Sequence, residues 1–248
     1  MKTVKTESTA DKPNYDVAIL LPTYCEAENV ENLIRTIGNL GINPTILVID
    51  DSSPDGTGNI IKELQKNRRN IILLSRPHKA GLGTAITSGF RFILSQPNPP
   101  DHIITMDADY SHNPQDIPRL LQQAKEGYDV VVGSRYRQGG EVKGWNLTRI
   151  IISKIANKIA AQLVALRIND FTSGFRCYSK PYIQKVLQNL HSQTYEIQIE
   201  TLRQAHIQNA KVTEIPITFT SRKKGKSKLT INEIMSFFLY LLKTTIKK

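Results

Sequence analysis

The sequence predicts an α/β fold: one mostly parallel sheet, covered by helices on both faces, in a single domain. Three observations predict it. Short apolar runs alternate with amphipathic stretches through the first half of the chain. Acidic residues directly follow several of those runs, as expected where strands end at a ligand crevice. The chain has 248 residues, 40% of them hydrophobic, enough for one large core.

Residues 17–21 form the first expected strand, an apolar run ended by Pro22, which lacks a backbone donor. A helix is expected over 26–40. Further strands are expected over 45–49, 71–74, 102–106 and 130–132. The helices between them should cover 56–66, where Asp55 can cap the first turn, then 83–94, and then 114–126, which opens on Pro114. After Gly133 the alternation breaks. A long helix over 147–166 precedes a short strand over 175–178, helices over 181–189 and 196–208, an extended piece over 212–219 and a final helix over 231–246. Pro97-Asn98-Pro99-Pro100 is too short for a domain linker, and no internal repeat is visible.

The net charge is +11, from 33 Lys and Arg against 22 Asp and Glu. Such a surplus points to an anionic partner: nucleic acid, acidic lipid headgroups or a phosphorylated substrate. Five cations crowd the eight residues from Ser221 to Lys228. Nucleic acid is set aside, because no recognition-helix pattern or aromatic RNA motif accompanies that run. Cys25 and Cys177 form no Cys-x-x-Cys pair, which argues against a zinc or redox site and for a reducing compartment. Residues 1–14 are polar, without the apolar core of a secretory signal, and are expected to be a disordered tail. No stretch offers the roughly 20 apolar residues of a spanning helix. Contact with a membrane surface is nevertheless expected. Ile151, Ile155, Ile159 and Leu163 share a line with Lys154 and Lys158 nearby, and the final helix sets Phe238, Leu241 and Leu242 close to Lys243, Lys247 and Lys248.

The chemistry concentrates at strand ends. Asp107-Ala108-Asp109 closes the fourth strand, where two hard oxygen donors can hold a divalent cation and, through it, phosphates. Tyr24 and Glu26 follow the first strand, where a flat base could stack and hydrogen-bond. Asp51 follows the second, a position suited to a ribose or base. Arg135, Arg149, Arg222 and Lys228 come from four separate segments and are candidates to hold a second phosphate. Arginine suits that task because its planar fork meets two oxygens at once.

Taken in order, these pieces resemble the family 2 glycosyltransferases of the GT-A fold, a Rossmann-like architecture. They are Pro22-Thr23-Tyr24-Cys25-Glu26, Asp50-Asp51-Ser52-Ser53-Pro54-Asp55-Gly56-Thr57, Gly81-Leu82-Gly83-Thr84-Ala85 and Asp107-Ala108-Asp109. Later pieces narrow the resemblance to the dolichol-phosphate (polyprenol-phosphate) mannose synthases. Those pieces are Gly133-Ser134-Arg135-Tyr136, Gly144-Trp145 with Arg149, Asp170-Phe171-Thr172-Ser173-Gly174-Phe175-Arg176, and Ser221-Arg222 with Gly225-Lys226-Ser227-Lys228. The match covers roughly residues 17–242.

The resemblance implies residues 15–133 as a nucleotide-binding half and 134–248 as an acceptor- and membrane-facing half. It implies that Pro22, Tyr24, Glu26, Ile49 and Asp51 hold the nucleoside, with Ala108, Arg222 and Lys228 also on the donor. Asp107, Asp109 and Arg135 would be catalytic, and Arg135, Arg149 and Arg222 would hold the acceptor phosphate. Asp107, Asp109 and Ser111 would ligate Mg²⁺ or Mn²⁺, with Ser111 standing where some relatives place Gln. Cys25 stands where many relatives carry Asn. His112 is expected to face solvent or to cap the Pro114 helix, and Asp170 to orient an arginine or a loop. The implied reaction is inverting transfer of mannose from GDP-mannose to dolichyl or polyprenyl phosphate, at the cytosolic face of a membrane by a peripheral cytoplasmic protein. An integral membrane subunit is a further candidate partner. Transfer of glucose from UDP-glucose to the same lipid is the alternative. A catalytically inactive scaffold subunit would be expected to lack the acids or arginines, and all are present.

Overall fold

The computed structural model describes residues 16–222. The expected tail, the expected final helix over 231–246, and Lys228 lie outside them. Nine strands are described: β1 Val17–Thr23, β2 Thr45–Asp50, β3 Ile71–Ser75, β4 His102–Thr105, β5 Val130–Ser134, β6 Glu141–Lys143, β7 Arg176–Ser179, β8 Val212–Pro216 and β9 Thr218–Thr220. The helices are α1 Val30–Gly38, α2 Thr57–Asn67, α3 Leu82–Leu94, α4 Ile117–Lys125, α5 Leu147–Val164, α6 Lys180–Val186 and α7 Ile197–Ile207.

Seven strands form one sheet in the order β3-β2-β1-β4-β7-β5-β8. All its pairings are parallel except those of β7, which runs antiparallel to both β4 and β5. The central strands are unbroken apolar runs because both of their faces are covered. In β1, Ala18 and Leu20 join one core with α3, α6 and α7, while Val17, Ile19 and Leu21 join a second core with α1, α2 and α4. Gly89 lets α3 approach the sheet closely: a Cβ there would lie 2.6 Å from Leu20 Cδ2 and 3.2 Å from Ile49 Cδ1.

Two features position the site. The chain leaves β1 toward β2 on one side and toward β4 on the other. The order therefore reverses at β1, and a crevice opens beyond the carboxyl ends of β1 and β4. The reversal of β7 is the second feature. Its register pairs Thr105 with Arg176, so the loop that enters β7 lies beside the end of β4. A small parallel pair, β6 with β9, forms a second sheet. β6 has only three residues and one apolar side chain, so no periodicity announces it. The expected extended piece over 212–219 is divided between β8 and β9, and so between two sheets. α1 starts at Val30 rather than Glu26, because the Glu26 carbonyl accepts from Asn29 and Val30 and residues 26–29 form a turn at the crevice.

Candidate active site

The crevice is a cleft of about 680 Å³ open to solvent. Pro22, Tyr24, Glu26 and Asp51 line one part of it, and Asp107, Ala108, Asp109 and Arg222 line another. Residues from four expected segments are thus brought to one place. Three left-handed backbones shape it: Cys25 at φ 56°, Ser52 at φ 52° and Tyr110 at φ 60° turn the chain just after β1, β2 and β4. The two acids ending β2 differ in role. Asp50 is buried and accepts from Thr23 Oγ1 at 2.9 Å and from the Ser53 backbone at 3.0 Å, so it shapes the loop. Asp51 faces the cleft. Asp55 accepts from the backbone of Thr57 at 3.1 Å and of Ala27 at 2.9 Å, tying the start of α2 to the β1 loop.

The Asp109 side chain is 5% exposed and lies 2.9 Å from Arg222 Nη2. Burial alone would raise its pKa, but Ser111 and Arg222 outweigh that and hold it below the usual carboxylate range. Ser111 donates its backbone N–H to Asp109 Oδ1 at 2.9 Å, while its buried hydroxyl lies near the same carboxylate without completing a hydrogen bond. Asp107 shifts the opposite way. Loss of water around the carboxyl raises it first, the Asp109 charge raises it further, and Arg222 compensates in part. Its side chain keeps 42% exposure toward the cleft, which tempers the effect of desolvation. Two crowded carboxylates and a buried hydroxyl without a hydrogen-bond partner among the described residues are a donor set that fits Mg²⁺ or Mn²⁺, whose charge would relieve the crowding.

The arginines occupy a neighbouring stack. Arg149 lies 4.1 Å over the Trp145 ring, and Arg135 lies 5.5 Å from the same ring centroid. Trp145 meets Phe219 edge-on at 5.2 Å, Phe219 meets His112 at 5.3 Å, and His112 stacks on Phe175 at 5.1 Å. Arg135 is buried. It donates Nε to Asp170 Oδ2 and Nη2 to Asp170 Oδ1, both at 2.7 Å, and Nη2 also to Thr172 at 2.6 Å. Asp170 further accepts from the backbone of Arg135, Thr172 and Ser173. It therefore orients an arginine and its own loop, as expected.

Residues 18–187 match the sequence model of the family described as Glycosyl transferase family 2. The chain belongs to that family. It is 36% identical over 225 residues to the polyprenol monophosphomannose synthase of Mycolicibacterium smegmatis, covering 90% of this chain and 84% of that one. It is 35% identical to the dolichol-phosphate mannosyltransferase of Pyrococcus furiosus, over 91% of this chain but only 62% of that protein's length. Its fold is that of a glucosyl-3-phosphoglycerate synthase of Mycobacterium tuberculosis, solved with Mn²⁺, uridine diphosphate and glucosyl-3-phosphoglycerate. That likeness has a TM-score of 0.65 at 16% identity, over 94% of this chain and 79% of the other. The architecture is GT-A.

In this family 2 glycosyltransferase, two expected site residues, Ile49 and Arg135, and the neighbouring His112 sit differently from the expectation. Ile49 is fully buried in the core beneath α3 and does not line the cleft, because it lies inside β2, where the helix covers it, short of the strand's carboxyl end. Arg135 uses its fork on Asp170, not on the open cleft. His112 neither faces solvent nor caps the helix. It is 1% exposed, its Nδ1 accepts from the Asp107 backbone at 3.2 Å, and Asn113 caps the turn instead. Burial pulls its pKa down to about 4, so the ring is neutral, as an accepting nitrogen requires. Lys79 and Tyr195 line the cleft and escape a sequence reading, as does Arg76, which holds Asp51. Arg76 donates to Asp51 twice, at 2.6 and 2.7 Å, and its only signal is a cation one residue past β3. Tyr195 comes from the loop before α7.

Proposed function

We propose that the chain transfers mannose from GDP-mannose to dolichyl or polyprenyl phosphate, with inversion, at the cytosolic face of a membrane. One observation carries the reading. The acidic cleft adjoins the Arg149–Trp145–Arg135 stack, and α5 leads away from that stack with Leu147, Ile151, Ile152 and Ile155 exposed. Such a surface suits an acceptor with a phosphate head and an apolar tail. The names of the two relatives support it.

In this reading Tyr24, Glu26 and Asp51 hold the nucleoside, with Arg76 fixing Asp51. Pro22 and Ala108 shape the walls. Asp107 and Asp109, with Ser111 beside them, hold a divalent cation. When bound, that cation compensates charge growing on the departing nucleoside diphosphate. Arg222 bridges the acidic cleft and the acceptor side. Arg149 meets the acceptor phosphate, with Arg135 contributing buried positive charge beneath it. A phosphate monoester has a second pKa near ~6 and arrives ionised, so its oxygen attacks the anomeric carbon without a general base. The commitment of Asp170 to Arg135 fits that requirement.

The test is incubation with GDP-mannose, UDP-glucose and related sugar nucleotides, each with a short polyprenyl phosphate and Mg²⁺ or Mn²⁺. Mannosyl-lipid from GDP-mannose is the expected product. Glucosyl-lipid from UDP-glucose alone would replace the donor assignment.

A further inference from the structure

A glycine-rich turn at the start of a helix suggests a phosphate seat. Gly81-Leu82-Gly83 is something else. The Gln193 carbonyl accepts from Gly83 N at 2.9 Å and Thr84 N at 3.3 Å, so the chain itself caps α3. The glycines permit that approach. A Cβ on Gly81 would lie 2.4 Å from the Gln193 oxygen, and one on Gly83 would lie 2.3 Å from the Ser192 oxygen. Both obstacles are backbone, so neither can move aside cheaply.

The same loop is held from its other side by two buried carboxylates of the α7 start. Glu200 accepts from the backbone of His191 at 3.0 Å and Ser192 at 2.9 Å, and Glu196 accepts from Gln193 and Thr194 at 3.1 Å each. Glu196 also takes the Thr194 hydroxyl. Burying two carboxylates is costly unless they are fully hydrogen-bonded, so this loop is rigidly built. What it presents is Tyr195. The half-buried side chain lines the cleft with Asp107 and Asp109, and it lies close enough to Arg149 for the two groups to sense each other electrostatically. Tyr195 therefore stands at the joint between the acidic cleft and the acceptor cations, where a transferred sugar must sit.

Building on the proposed function, we propose that Tyr195 is the sugar-orienting residue. Its phenol O–H donates to a hydroxyl of the transferred sugar, and the frame of Gly81, Gly83, Glu196 and Glu200 holds it there. A frame that fixes the hydroxyl before the sugar arrives lowers the cost of a near-attack geometry and allows epimers to be told apart.

The experiment compares wild type, Tyr195→Phe, Glu196→Gln and the double variant. Transfer from GDP-mannose and GDP-glucose to a short polyprenyl phosphate is measured, with GDP affinity alongside. Tyr195→Phe should lower kcat/KM for GDP-mannose about 3- to 10-fold, the size of one hydrogen bond. It should narrow the mannose-over-glucose ratio and leave GDP affinity within about twofold. Glu196→Gln should lower kcat, and the double variant should be no worse than Tyr195→Phe, because both act through one contact. Thr194→Ala, which removes a single bond to Glu196, serves if Glu196→Gln does not fold. Wild-type kcat/KM with an unchanged sugar ratio in Tyr195→Phe would overturn the assignment, as would an equal loss of GDP affinity. Failure of the wild type to use GDP-mannose would count against the donor assignment instead. The Tyr195 comparison then runs on the sugar nucleotide the wild type does use.

Discussion

Arg222 Nη2 lies 2.9 Å from Asp109 Oδ2, so a cation from the end of the described chain already sits on a carboxylate at the end of β4. In the proposed function the pair joins the donor side of the cleft to its acceptor side. It also sets how Asp109 ionises, since Arg222 helps hold that carboxyl below the usual range despite its burial. In the proposed reaction this ionised oxygen pair is the main anchor for a divalent cation.

Asp109→Asn removes that charge while keeping the shape. Transfer should fall at least ~100-fold, as when a principal electrostatic stabiliser is lost. Wild type in excess chelator should fail likewise and recover with Mg²⁺ or Mn²⁺. Near-normal turnover in either case would remove the metal-assisted mechanism.

Arg149 lies at the outer end of the stack, over Trp145 at 4.1 Å. Arg149→Ala should weaken acceptor efficiency roughly tenfold to a hundredfold, for a lost charge-assisted bond of ~1.5–3 kcal/mol. GDP affinity should not change. Arg149→Lys should recover part, because it keeps the charge and loses the planar fork. Rates against lipid concentration, with nucleotide titration as control, decide this.

The Arg135–Asp170 pair is buried on both sides, with side-chain exposures of 6% and 0%. Burial pushes the Asp170 carboxyl up, but Arg135 and the loop N–H groups outweigh it and depress its pKa in the folded protein. A depressed carboxylate stabilises the fold above its unfolded pKa and loses that contribution as pH falls through the folded value. Wild-type melting temperature should therefore drop on acidification below about pH 4, near the unfolded Asp pKa. Asp170→Asn should cost ~3–5 kcal/mol at neutral pH, because Arg135 is left buried without a counter-charge. Its melting temperature should depend less on pH in the acid range. Thermal scans from pH 7 to pH 3 would reveal a parallel decline in both proteins if Asp170 were not the group responsible.

Cys25 holds φ at 56°, a conformation that asparagine tolerates better than other side chains. Cys25→Asn should stabilise the protein by on the order of 0.5 kcal/mol and raise its melting temperature by about 1–2 °C. Transfer should be unaffected. Calorimetry of the two proteins is sufficient, and a lower melting temperature for the variant would contradict the argument.

Leu147, Ile151, Ile152 and Ile155 are 78%, 56%, 49% and 51% exposed, all on one helix beside Lys154 and Lys158. The protein should float with anionic vesicles at low salt and be released as salt rises, because surface attraction is screened over ~8 Å at physiological ionic strength. Ile151→Glu with Ile155→Glu should abolish flotation and leave the melting temperature nearly unchanged, since these side chains contribute little to the core. Flotation by the double variant equal to wild type would exclude α5 as the membrane seat.

The order of apolar runs and acids along this chain was sufficient to specify the sheet's central strands and the cleft at their carboxyl ends. Strands buried on both faces must be continuous apolar runs, and in an open α/β sheet the ligand sits beyond their carboxyl ends. Tyr24, Glu26, Asp51, Asp107 and Asp109 therefore declare themselves from position alone. What needed the tertiary structure is whatever depends on contacts between distant segments. A histidine next to two aspartates reads as polar and exposed, yet His112 is enclosed by Phe175 and Phe219, which arrive from β7's entry and from β9. Arg135 reads as a free phosphate fork until Asp170, 35 residues away, takes its Nε and Nη2. Ile49 adjoins two acids in sequence but lies inside the strand, where α3 covers it, while Asp51 lies past the strand's carboxyl end. Gly81 and Gly83 stand out in sequence only as part of a family motif and prove to be a seat for backbone more than 100 residues downstream. Local periodicity records which face a residue turns inward. Which partner waits on that face is decided by chain reversals such as that of β7, which leave no local mark.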